Sequence, residues 1–145
     1  MPLFVDTNVF VYGRDGREVD KQARALDWLD RLWRERTGRV SFQVLSEYYV
    51  TVTRKLDPGL DVEQARQDVR DLAAWRPVAV DSAVLDGAWQ VESRYGLSLW
   101  DAQIVSAAIA SRCTHLLSED MTAGADYGGV EVVDPFAVAP GDLGG

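Results

Sequence analysis

The chain has 145 residues, 47% of them hydrophobic and 26% charged, which suits one soluble domain with a proper core and leaves little material for a second. Its formal charge of −8 argues against broad, sequence-independent binding of nucleic acid, although an enzyme whose own site is acidic would also carry such an excess. A single cysteine, Cys113, and a single histidine, His115, exclude an internal disulfide and a zinc centre built from those ligand types.

The N-terminus, Met1-Pro2-Leu3-Phe4-Val5-Asp6, has no basic leader before its apolar residues, so a signal peptide is not expected. No apolar run reaches the roughly 20 residues that span a bilayer. With its lone cysteine, the chain is expected in a reducing cytoplasm and away from membranes.

In chain order, Leu3–Val5 predicts a first strand, ending at Asp6-Thr7-Asn8, which is good turn chemistry. Ala25, Leu26, Leu29, Leu32 and Trp33 then form one helical stripe. Arginines and acids alternate around it, from Arg14 through Arg39, as on a solvated helix face. Arg39–Ser41 predicts a second short strand, with Ser41 as the N-cap of a helix carrying Val44, Leu45, Tyr48, Val52 and Leu56. Asp57-Pro58-Gly59 stops that helix. Asp61 opens a third helix over Val62, Ala65, Val69 and Leu72. Pro77–Val80 predicts another strand, and Asp81 caps the helix after it, over Val84 to Val91. Ser98 caps the last helix, Leu99 to Ala110, which is apolar almost all round and so should be buried. His115–Leu117 and Val130–Val133 complete the predicted strands. Residues 1–138 should form one domain, with 139–145 a disordered tail.

Short strands alternating with helices predict an α/β fold with a parallel sheet of four to five strands, covered by helices on both faces. In such sheets, ligands bind beyond the carboxyl ends of the strands, where the strand order reverses. Four carboxylates are placed for that position. Asp6 and Asp120 each follow a predicted strand. Glu47 lies a turn and a half into the helix that starts at Ser41, among apolar neighbours. Asp101 is in the first turn of the apolar helix. Grouped acids resist ionisation, and a divalent cation with a preference for hard oxygen ligands, magnesium or manganese, removes the difficulty. Each acid also has a structural alternative. Asp6 could cap a turn, Glu47 could pair with Arg54, and Asp101 could complete a capping box with Ser98. Glu119 competes with Asp120, because adjacent residues leaving a strand point opposite ways. Asp81 reads as an N-cap. Cys113 lacks the partner of a nucleophile, and His115 reads as structural.

With these residues identified, the chain resembles the PIN-domain family, and within it the VapC-type toxin ribonucleases of toxin–antitoxin pairs. Phe4-Val5-Asp6-Thr7-Asn8-Val9 is similar to that family's first motif, and Val40 to Tyr49, with Glu47, to the second. Leu97 to Ile104, with Asp101, is similar to the third, and Leu116 to Met121, with Asp120, to the fourth. Gly129 to Phe136 also matches family usage. The fourth motif departs from the commoner form, which has a basic residue where Glu119 stands. The resemblance implies a Rossmann-like parallel sheet and hydrolysis of RNA phosphodiester bonds with magnesium or manganese. It also implies a homodimer and an inhibitory antitoxin that masks the acidic groove. Asp6, Asp101 and Asp120 would then hold metal, and Glu47 would act through water. Thr7, Asn8 and Ser118 would aim the carboxylates.

Two other phosphate chemistries fit poorly. A phosphoacceptor domain needs an acid pair after the first strand and a late lysine, but Asp6 stands alone and no lysine follows Lys55. An Asp-x-Asp phosphatase fails because residue 8 is Asn. A non-catalytic module whose acidic groove docks a basic partner is the remaining alternative.

Overall fold

The computed structural model describes residues 1–143. β1 (Leu3–Val5) leads into α1 (Thr7–Tyr12) and the long α2 (Val19–Glu35). Next come β2 (Gly38–Arg39), α3 (Phe42–Arg54) and α4 (Val62–Asp71), which runs into a 3-10 turn, Leu72–Trp75. The second half is α5 (Ser82–Tyr95), α6 (Leu99–Ala110), β3 (His115–Leu117), β4 (Asp126–Tyr127) and β5 (Val130–Val133).

The sheet has five strands in the order β2-β1-β3-β5-β4. The pairs β1–β2, β1–β3 and β3–β5 are parallel, and β4 alone is antiparallel, to β5. Successive residues of a strand face opposite sides of its sheet. All three residues of β1 are buried, so both faces of the sheet are covered at its centre. This is the α/β architecture expected from the alternation of short strands and helices. The chain leaves β1 for β2 on one side, then returns for β3 on the other. The strand order therefore reverses at β1, and Asp6 N–H donates to Leu117 O (3.0 Å) across that point.

The four expected N-caps all form. Ser41 accepts from Val44 N, Asp61 from Gln64 N, Asp81 from Val84 N, and Ser98 from Asp101 N. Each relieves one of the unpaired amides at a helix start. The apolar α6 is buried from Ala102 to Ala108, packed against α5 and against β3 and β5.

Several elements differ from expectation. Pro77–Val80 is not a strand, and only Val78 bridges, to Ser41. Pro77 has no N–H to give a ladder, and Ala79 and Val80 are exposed. β2 spans Gly38–Arg39, the two residues that pair with Leu3 and Phe4 of β1, and Ser41 forms only the single bridge to Val78. The turn expected after Asp6 is a short helix instead, since Asp6 accepts from Thr7 N and caps it. β4 was not expected. It closes a hairpin with β5 through Gly128-Gly129, both at positive φ (64° and 95°), as the two-residue hairpin turns require. The tail expected to be disordered is ordered through residue 142. Pro140–Asp142 form a 3-10 turn with Pro140 buried, and Trp28 Nε1 donates to Pro135 O (2.9 Å) and Val138 O (3.2 Å) just before it. Gly144 and Gly145, also in that expected tail, lie outside the described residues.

Candidate active site

Asp6 leaves β1 into the sheet's switch point and is 5% exposed. Its carboxylate is gripped at both oxygens. Thr7 N–H donates to Oδ1 (2.7 Å) and Ser118 Oγ donates to Oδ2 (2.7 Å). Ser118, fully buried at the end of β3, also accepts from the amides of Asp120 (3.2 Å) and Met121 (3.3 Å). One hydroxyl thereby joins Asp6 to the turn that carries Asp120. Asn8, on α1, holds the same turn from the other side. Its Nδ2 donates to Asp120 Oδ2 (3.1 Å), and its Oδ1 accepts from Glu119 N (3.4 Å).

Glu47 projects from α3 and is half-buried. It is not paired with Arg54. Thr7 Oγ1 donates to its Oε2 (2.9 Å) and Gln43 Nε2 to its Oε1 (2.8 Å). The same amide of Gln43 reaches Trp100 O (3.2 Å), and Gln43 Oε1 accepts from Gln103 Nε2 (2.9 Å). These bonds tie α3 to the first turn of α6, where Asp101 lies. Sequence reasoning missed Gln43 and Gln103. The available signal was Gln103 itself, an amide in an otherwise apolar, buried helix, which requires a polar partner.

Asp6 and Asp101 each feel the charges of Asp120 and Glu47. Burial is the main cause that pushes the Asp6 carboxyl up to about 6, with the negative charges of Asp120 and Glu47 adding to it, against the bonds from Ser118 and Thr7. Asp101 is also raised, first by burial, then by Asp120 and Glu47. No cationic side chain contributes to either shift. Lys21 is paired with Glu119 (2.8 Å), which Tyr12 OH also approaches (3.3 Å). Glu119 is thus turned to α1 and α2, while its neighbour Asp120 is exposed toward the acids. A cleft of about 680 Å³ opens here, lined by Thr7, Asn8, Glu47 and Asp120 among others.

The donor set fits a hard divalent cation: the grouped side chains offer carboxylate oxygens, and the one cation lining the cleft among the described residues, Lys55, is in none of the ion pairs. Among the described residues, no three acidic, histidine or cysteine side chains are yet closed around a common point. Elsewhere, Cys113 is buried and its thiol is pushed up to about 12, leaving it inert. His115 Nδ1 is hydrogen-bonded to Thr114 Oγ1 (2.8 Å).

Residues 3–122 match the family model of the PIN domain. The chain belongs to the PIN-domain family. All four acids fall inside the matched span of this PIN domain. Among solved structures, it is similar to a toxin–antitoxin complex from Klebsiella pneumoniae, with 19% identity and a TM-score of 0.63 over 93% of this chain and 98% of that one. It is similar to VapBC2 from Rickettsia felis bound to a DNA fragment from their promoter (18%, TM-score 0.63, 91% of this chain and 97% of that one). It is also similar to Mycobacterium tuberculosis VapC20, a sarcin-ricin loop cleaving toxin (19%, TM-score 0.61, 81% and 91%). At these identities the likeness is one of fold. No curated protein matches the sequence.

Proposed function

We propose that this PIN domain is a metal-dependent endoribonuclease of the VapC type, the toxin of a type II toxin–antitoxin pair. The observation that carries this reading is the cluster at the switch point, where Asp6 and Asp101 are each raised by burial and by the negative charges of Asp120 and Glu47. The fold likeness to three toxin structures supports it.

Asp6, Asp101 and Asp120 would hold magnesium or manganese, directly or through water, with Glu47 bound through water or orienting the attacking water. When bound, the ion supplies Lewis-acid charge beside the phosphate and makes water acidic enough to furnish a nucleophile near neutral pH. The chain's own part is placement. Ser118 and Thr7 fix both oxygens of Asp6, and Asn8 aims Asp120. Thr7 and Gln43 fix Glu47 through one hydrogen bond to each oxygen, so it can accept a hydrogen bond from water and turn the lone pair toward phosphorus. A preset geometry of this kind lowers the entropic part of the barrier.

The same reading places the protein in the cytoplasm as a homodimer, held inactive by an antitoxin that inserts basic residues among the acids. Among the described residues, no helix is long and apolar enough to cross a membrane. Trp89 and Trp100, 50% and 64% exposed, supply apolar surface for a subunit contact. The test is cleavage of a mixed cellular RNA pool by partner-free protein, with magnesium, manganese or chelator, beside Asp6→Asn. Metal-dependent cleavage that the substitution abolishes supports the reading. Absence of both cleavage and metal binding would replace it with a non-catalytic acidic groove that docks a basic partner.

A further inference from the structure

The opposite end of the sheet has the reverse charge. Among the described residues, every non-glycine at positive φ is an arginine: Arg36 (58°), Arg76 (52°) and Arg112 (58°). Arg36 ends α2 just before β2, and Arg76 ends the 3-10 turn just before the Val78 bridge. Both line one cleft of about 540 Å³, with Trp33, Gly38, Arg39 and Trp75. No acidic residue lines it, in a chain whose formal charge is −8. None of its three arginines is in an ion pair among the described residues. Arg39 is held by Nη1 on the carbonyls of Gly38 (2.9 Å) and Arg36 (3.2 Å).

The cleft is also rigid and aromatic. Trp75 is buried against Gly38 so closely that a Cβ on Gly38 would sit 2.5 Å from its ring. Trp33 packs on Trp75 (centroids 5.4 Å apart) and remains 40% exposed. A helix C-terminus accounts for a basic side chain at positions 36 and 76. It does not account for arginine over glycine, which takes that φ without strain. Backbone strain kept at both residues of one cleft points to a use for their side chains.

We propose that this cleft is a second RNA-binding site, taking one nucleotide of a single-stranded segment. The phosphate meets the Arg36 and Arg76 guanidiniums, whose planar forks match its oxygens. The base lies against the exposed indole of Trp33, as bases do on aromatic platforms in single-strand binders. The cleft has the size of small-ligand sites generally. The site faces away from the four carboxylates, so it anchors RNA distant from the scissile bond. This inference rests on the reading of the protein as one that acts on RNA.

The test measures binding of a short fluorescent single-stranded RNA by anisotropy, with chelator, in an Asp6→Asn background that removes cleavage from the readout. Arg36→Gly and Arg76→Gly together delete both guanidiniums at positions where glycine relieves strain, so thermal stability should hold or rise. Affinity should fall roughly tenfold or more, and the salt dependence should flatten by roughly 0.7 in log–log slope for each phosphate that is no longer neutralised. Unchanged affinity and slope in the folded double variant would overturn the proposal. A glutamate-rich peptide whose binding needs Arg36 and Arg76, beside RNA affinity that the double variant leaves unchanged, would assign the cleft to carboxylates instead. RNA binding lost in the double variant, from a parent whose native form cleaves nothing, would support the second site while removing the nuclease.

Discussion

At Asp6, folding works against ionisation. Burial and two neighbouring acids lift its carboxyl from 3.8 to about 6, which corresponds to roughly 3 kcal/mol. Below the unfolded value both states are protonated and nothing is lost. As pH rises from about 4 to about 6 the unfolded chain ionises first, so stability falls across that window and is flat above it. In chelator, the protein should therefore be more stable near pH 4 than near pH 7 as far as this group is concerned. Asp6→Asn should remove that part of the pH dependence and raise stability at pH 7, by up to roughly 3 kcal/mol, while abolishing RNA cleavage. Denaturant titrations of both proteins at the two pH values check the sign. A large loss of stability at pH 7 in the variant would make Asp6 a structural cap and not a carboxylate kept for a ligand.

Between elements, two polar contacts set geometry that helix packing alone would leave loose. The first is Glu47–Gln43–Gln103, which joins α3 to α6. Gln103→Leu fits an apolar helix but removes one partner of Gln43, so Glu47 is held less firmly on that side while Thr7 still donates to its other oxygen. Cleavage should fall about 10–100-fold, the range for residues that support ligating groups, with the melting temperature nearly unchanged. The second is Asp68 on α4. Burial alone would raise its carboxyl, but bonds from Arg14, Tyr48 and Gln64 outweigh that and hold it below the usual range. Arg14 donates through Nε (2.9 Å) and Nη2 (2.6 Å). Asp68→Asn breaks this charged pair, which is partly exposed, and should cost about 1–2 kcal/mol. The cost should be full at neutral pH and vanish as pH falls through the lowered value, because the wild-type carboxylate is then protonated as well. Melting curves at pH 7 and pH 3 separate the two cases.

For the whole molecule, burial and neighbouring negative charge raise Asp6 and Asp101 at one end of the sheet, a cost that the proposed metal ion would offset. An ion that binds only the folded state stabilises it by about 2.7 kcal/mol at one hundred times its Kd. That is a rise on the order of 5–10 °C for a domain this size. Calorimetry with magnesium or manganese should show this rise at pH 7. It should shrink toward pH 5, where Asp6 is protonated and a ligand is lost, and be absent in Asp6→Asn. A metal-independent melting temperature at all pH values would sink the metal assignment.

What the sequence determined by itself is local. Cap residues act within one turn of their helix, so Ser41, Asp61, Asp81 and Ser98 could be read from spacing and all form. The strands that place Asp6 and Asp120 were legible as short apolar runs, and the alternation of strand and helix fixed the fold class. What only the tertiary structure decided depends on partners far apart in the chain. β4 is two residues long, too short to leave a periodic signal, and exists because β5 completes its hydrogen bonds, while β2, expected over Arg39–Ser41, takes its bounds of Gly38–Arg39 from its pairing with β1. Pro140–Asp142 is ordered because the end of the chain packs beside α2, where Trp28 already holds residues 135 and 138. Glu119 turns to Lys21, 98 positions away, and the relay to Gln103 spans 60 positions from Gln43. Local hydrogen bonds can be read from spacing, but charge compensation and side-chain aim are settled only when distant segments have been packed together.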